Sequence, residues 1–163
     1  SDGEAEDTGA VLNRWEEIKR EEKGDEAKPY LHGVGKGLPA VLRAGKLQKK
    51  AGKVGFDWPD LVGVVAKIDE ELKEVKDELP TNGDVATPAL EAEVGDLLFS
   101  VVNLARKLGV DPEAALEGTN VKFEDRFAVM ERELLARGNS LKDASLEEME
   151  SGWVRAKSLA AEG

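Results

Sequence analysis

Two pairs of acids in this chain share one spacing: Glu71 and Glu74 in EELKE, then Glu93 and Asp96 in EVGD. Residues three apart on a helix lie on nearly the same side, so each pair can present two carboxylates together. If one helix ends at Leu79 and the next begins at Pro88, Glu71 and Asp96 each lie eight residues from the turn, and Glu74 and Glu93 five. At about 1.5 Å per residue, the two rungs stand roughly 12 and 7.5 Å from the turn on both helices. An antiparallel hairpin would then make all four carboxylates converge. Converging carboxylates repel unless neutralised. Hard, oxygen-preferring divalent cations, Mg²⁺ or Mn²⁺, suit such a set, and Mg²⁺ is commonly completed by water and substrate phosphates. The chemistry on offer is a clamp between metal and phosphate. Yet the chain holds 34 acids in 163 residues, and Glu147 and Glu150 show the same spacing. A solvated acidic face therefore stands beside the metal site as a reading of the same residues.

The elements that must position these acids are legible as apolar stripes. Pro59 is expected to open a long helix carrying Leu61, Val64, Val65, Ile68, Leu72, Val75 and Leu79 at intervals of three and four. PTNGDVATP makes a turn, with Thr87 as N-cap and Pro88 as the first helical residue. The following helix holds Leu90, Val94, Leu97, Leu98, Val101, Val102 and Leu104 and ends near Gly109. It is apolar nearly all round, and is expected to be the most buried element.

Upstream, residues 1–9 read as a polar, disordered tail, and residues 10–163 as one domain. AVLNRWEEIKREEK reads as a first helix with Val11, Leu12, Trp15 and Ile18 on one stripe. Residues 24–38 read as a Gly-rich loop, and Pro39 stands in the first turn of a helix with Val41, Leu42 and Leu47 inward. Downstream, an Asp111-Pro112 start leads into one long helix, bent near Gly118, and a capping box over Ser145–Glu148 opens a last one. No segment reads as a strand. The expected fold is all-α, five to six helices in a bundle.

Composition narrows the chemistry further. A net charge of −11 argues against binding duplex DNA or RNA. The chain has no cysteine, which removes disulfides, thiolate zinc sites and a cysteine nucleophile, and suits a reducing cytoplasm. No apolar run is long enough to span a bilayer. A di-iron bundle would need Glu-x-x-His on two helices, and the single histidine, His32, falls in a loop. No EF-hand loop is present, and GVGKG at 33–37 lacks the spacing of a phosphate-binding P-loop.

Four longer blocks say more than the spacing. KLQKKAGKVGFDWPD (46–60), EELKE (70–74), EAEVGDLLFSVVNLARKLGVDPEAAL (91–116) and TNVKFEDRF (119–127) resemble the MazG family of all-α nucleoside triphosphate pyrophosphohydrolases. Glu70, Glu71, Glu74, Glu93 and Asp96 match its Glu-Glu-x-x-Glu and Glu-x-x-Asp signature. The likeness runs from about Trp15 to Lys157, and is nearest to the catalytic second half of two-domain members. It implies hydrolysis of NTPs or dNTPs between the α- and β-phosphates, with Mg²⁺ as cofactor and Mn²⁺ as a substitute, in a homodimer. House-cleaning of the nucleotide pool is the implied role. Carried over, Glu71, Glu74, Glu93 and Asp96 hold the metal, and Glu70 is a further ligand or the base that activates water.

Metal neutralises only part of a triphosphate, so cations are expected close by. Lys122 and Arg126, four apart, share a helix face, as do Trp153 and Lys157. The resemblance makes Lys122, Arg126 and Lys157 phosphate contacts; ordinary surface ion pairing is their other reading. Asn120 reads as a sugar or base contact, or as a helix cap. Trp58, Trp153 and Phe56 are candidates for base stacking, or core, and Lys53 for reaching phosphate. A different class of function, a nucleotide-binding helical dimer that regulates without turnover, accounts for the same residues.

Overall fold

The computed structural model describes residues 9–17, 19, 28–80 and 85–162, and every regular element among them is an α-helix. In chain order they are α1 (residues 9–17), α2 (Ala40–Lys53), α3 (Leu61–Glu78), α4 (Pro88–Leu108), α5 (Pro112–Ala136) and α6 (Leu146–Glu162). Apart from Gly9, which already belongs to α1, the expected N-terminal tail lies outside the described residues, as do Ile18, residues 20–27 of the expected first helix and Gly-rich loop, and residues 81–84 of the turn. The chain forms two compact units, Ser1–Pro112 and Glu113–Gly163.

In the first unit the ends of α3 and α4 are chemically marked. Asp60 is the N-cap of α3, its carboxylate accepting the Gly63 N–H at 3.2 Å. Pro59 therefore precedes the cap instead of opening the helix, because an aspartate acceptor satisfies a free backbone donor that proline cannot. The α4 cap falls where expected: Thr87 Oγ1 accepts from the Leu90 N–H at 3.1 Å, with Pro88 first in the helix. Gly109 ends α4 at φ 70°, a left-handed conformation that costs glycine little.

α3 packs along α4, and α2 packs on α4 as well. Val64 of α3 and Val102 of α4 are buried, each burial contributing about 1.5–3 kcal/mol. α2 is fastened through a buried side chain: Gln48 Nε2 donates to the Phe99 carbonyl at 2.9 Å. The expectation that α4 is the most buried element does not hold. Leu98 is 60% exposed and Phe99 and Val101 both 46%. α2 and α3 cover only part of its circumference, so the rest of an all-round apolar helix faces outward.

The segment 54–60 is held by charge. Arg106 donates to both Asp57 oxygens, at 2.6 and 3.2 Å, and Lys107 Nζ donates to the Trp58 carbonyl at 2.8 Å. The Arg106 guanidinium, ahead of Lys107, holds the Asp57 carboxyl below the usual carboxylate range. Trp58 lies over Gly63 so closely that a Cβ there would meet its ring at 2.6 Å.

In the second unit, α5 and α6 bury Met130, Leu134 and Ala156. Gly152 faces Met130, where a Cβ would stand 2.9 Å from Cγ. α5 is one continuous helix through Gly118. The capping box forms as expected: the Glu148 N–H donates to Ser145 Oγ at 3.1 Å, and the Ser145 N–H to Glu148 Oε1 at 3.4 Å.

Candidate functional site

Helix periodicity and register together gather three of the predicted acids. Glu71, Glu74 and Glu93 each offer a carboxylate oxygen, and these atoms all lie within 4.8 Å of one another. Glu71 is buried, 5% exposed, and Glu74 and Glu93 are half-buried. Glu74 and Glu93 form the rung expected from the turn. Hydrogen bonding to Glu93, then to Glu71, pushes Glu74 up to about 7 from an ordinary value of 4.5. Three carboxylates this close share a proton when nothing else neutralises them.

A cation fits this arrangement. Glu71 Oε2 and Glu93 Oε2 are buried and have no hydrogen-bond partner, and buried acceptors are costly to leave unpaired. An all-oxygen, all-carboxylate donor set matches a hard divalent ion. The nearest balancing charge is Lys67, one turn before Glu71 on α3. Its ammonium lies 2.9 Å from Glu71 Oε1 and 3.4 Å from Glu70 Oε1. The bond to Glu71, above that to Glu70, raises the lysine above its usual value.

Asp96 lies one turn beyond Glu93 on α4, is exposed, and is outside the three-carboxylate group. Glu70 points to the Lys67 side, its side chain 57% exposed. Trp58 and Lys53 are near the other end of α4. Trp58 is tied to Lys107, and Lys53 ends α2, where its carbonyl accepts from Asn13 Nδ2. Arg106 and Lys107 lie ten and eleven residues past Asp96, about 15 Å along the helix. Trp58 is thus separated from the carboxylates within this unit, and Phe56 on the same segment is 82% exposed.

The remaining candidates stand on the second unit. Lys122 on α5 and Lys157 on α6 are exposed. Arg126 is half-buried, and its Nε is buried without a partner. Asn120 Nδ2 donates to Glu117 Oε2 at 3.4 Å, beside an open concavity of about 400 Å³ lined by Glu117, Thr119, Asn120, Phe123 and Glu124. Trp153 packs on Phe123, ring centroids 5.1 Å apart, and Phe123 on Phe127 at 6.1 Å. Reasoning from sequence passed over Phe123 and Phe127. Their spacing of four, the same as Lys122 to Arg126, is the signal that marks them.

The α3–α4 hairpin brings three carboxylates together in an arrangement compatible with a cation, and comparison with known proteins gives the family it resembles. Residues 63–128, which include all three clustered acids, match the family model of the MazG nucleotide pyrophosphohydrolase domain. The MazG domain is thus recognised over α3, α4 and the first part of α5. The chain is 46% identical over 158 residues to the nucleoside triphosphate pyrophosphohydrolase of Escherichia coli (strain K12), a match covering 96% of the chain and 60% of that relative. It is 41% identical over 149 residues to the nucleoside triphosphate pyrophosphohydrolase/pyrophosphatase MazG of Thermotoga maritima, covering 91% of the chain and 56% of the relative. It is also 44% identical over 159 residues to the uncharacterized protein YabN of Bacillus subtilis, covering 96% of the chain and 32% of YabN. The chain therefore spans about three-fifths or less of the length of these relatives.

Proposed function

We propose that this chain hydrolyses nucleoside triphosphates and deoxynucleoside triphosphates between the α- and β-phosphates, releasing monophosphate and pyrophosphate with Mg²⁺ as cofactor. The convergence of Glu71, Glu74 and Glu93 is the observation that carries this reading. The names of the Escherichia coli and Thermotoga relatives support the substrate class. When bound, a divalent cation supplies charge neutralisation and a water of lowered pKa. Glu71, Glu74 and Glu93 would hold it, with Asp96, one turn on from Glu93, as the fourth acid. Glu70 is a further ligand or accepts the proton of the attacking water. In this hydrolysis water adds to the α-phosphorus, the bond to the bridging oxygen breaks, and pyrophosphate departs with the bonding pair.

Lys122, Arg126 and Lys157 are the proposed phosphate contacts, Trp153 with Phe123 the proposed stacking surface, and Asn120 a sugar or base contact. A homodimer in the cytoplasm is part of this reading. The exposed Leu98, Phe99 and Val101 on α4, apolar residues of the kind that mark protein interfaces, support the dimer. Among the described residues no helix is long and apolar enough to cross a membrane. Removal of unwanted nucleotides from the pool is the proposed role.

Incubation with a panel of NTPs and dNTPs, with and without Mg²⁺, followed by ion-exchange separation, tests the proposal. Monophosphate plus pyrophosphate, lost in Glu74→Gln, is the expected result. Diphosphate plus phosphate would refute the bond assignment. Nucleotide binding without turnover would make the chain a regulator instead of an enzyme.

A further inference from the structure

Lys67 and Glu71 are an i,i+4 pair on α3 with the lysine first, the weaker order for supporting a helix. The partners are also unequally placed: the glutamate side chain is 7% exposed and the lysine 38%. What distinguishes the pair is how it divides one carboxylate. Oε1 of Glu71 receives the ammonium at 2.9 Å, whereas Oε2 is buried and has no partner. The same residue supplies the buried member of the three-carboxylate group.

We propose that Lys67 is a positioning residue for the cation site: by holding Oε1 it locks the Glu71 carboxylate so that only Oε2 is offered to the metal. This rests on the reading of the three-carboxylate group as the cation site. A buried carboxylate with both oxygens open can chelate through two or turn away. With one oxygen taken by a charge-assisted bond, its remaining freedom is small. Lys67 also lies 3.4 Å from Glu70 Oε1, so one ammonium braces both acids of the Glu70–Glu71 step.

Positioning and simple charge competition predict opposite signs. If Lys67 acts only as a competing positive charge, removing it makes the site more negative, and a divalent cation binds more tightly. If it positions Glu71, removing it weakens binding by about 10–100-fold, the range typical for groups that orient metal ligands. The experiment is a calorimetric titration of Mn²⁺ alone, without nucleotide, into the full chain carrying Lys67→Met or Lys67→Arg. Circular dichroism in EDTA verifies the fold of each variant. At least tenfold weaker binding in Lys67→Met, with most of the affinity kept in Lys67→Arg, is the expected outcome. Unchanged or tighter binding in Lys67→Met would overturn the proposal.

A crystal structure of the wild-type chain with Mg²⁺ tests it without any variant. Expected is Glu71 Oε2 alone at about 2.1 Å from the ion, with Lys67 still on Oε1. Two-oxygen coordination by Glu71, or departure of the ammonium, would refute it. If the wild-type chain bound no Mn²⁺ at all, the reading of the site itself would fall, a result distinct from wild-type binding that Lys67→Met leaves intact.

Discussion

Glu93→Gln separates a carboxylate that holds metal from one that holds the fold. The change is nearly isosteric and removes one charge from three carboxylates whose oxygens lie within 4.8 Å. A ligand should matter at least as much as the groups that orient ligands, so Mg²⁺ affinity is expected to fall by about 100-fold or more, about 2.7 kcal/mol. At a Mg²⁺ concentration a hundred times the wild-type Kd, binding stabilises the wild-type chain by about 2.7 kcal/mol and the variant by about 0.4 kcal/mol. In a domain of this size, that turns a metal-induced rise in Tm of about 5–11 °C into one of about 1 °C. In EDTA the sign is different. Glu93 Oε2 is buried and unpartnered, and an amide both removes a repelling charge and supplies an N–H that Glu74 can accept. The metal-free variant should therefore melt no lower than wild type. Differential scanning calorimetry with EDTA and with Mg²⁺ decides the matter. An equal drop under both conditions would make Glu93 a structural residue, and an undiminished Mg²⁺ shift would locate the cation elsewhere.

Glu74 bears on pH: its value of about 7 in the folded, metal-free chain lies above its ordinary 4.5. Between those limits the folded state binds more protons than the unfolded one, so metal-free stability should fall as pH rises through that window. Tm in EDTA from pH 5 to 8 checks this, and Glu74→Gln should flatten the curve. Cation binding must displace the same proton, so Mg²⁺ affinity should rise up to about pH 7 and then level off. Calorimetry in buffers of different ionisation heat reads the proton directly, and no release at pH 6 would contradict it. A third test concerns the Trp58 segment. Gly63→Ala places a Cβ 2.6 Å from the Trp58 ring and should cost about 1–3 kcal/mol. With Trp58→Ala already present, the same change should stabilise by up to about 1 kcal/mol, because alanine is the better helix former. A double-mutant cycle of denaturation midpoints showing no coupling would disprove the close packing.

Local chemistry settles much of this protein in one dimension. Helix starts at Pro88 and Leu146 follow from Thr87 and Ser145, because a cap is a bond between residues two or three apart. At α3, by contrast, the proline signal at Pro59 falls two residues early and Asp60 is the cap. The Glu74–Glu93 rung was legible for a related reason: helix rise is constant, so counting residues from the turn measures height. Asp96 shows where counting stops. It shares the register of Glu71, yet it is exposed and lies outside the carboxylate group, because height along a helix does not fix the distance between side chains. Burial was likewise decided in three dimensions. The apolar pattern of α4 implies a core position, but α2 and α3 leave Leu98, Phe99 and Val101 exposed. Hydrophobicity states a preference for cover, and only the arrangement of other elements supplies it. The fastening of Asp57 by Arg106, across 49 positions of sequence, is of the same kind: no local rule pairs a loop aspartate with one arginine among many, and packing α2 on α4 does.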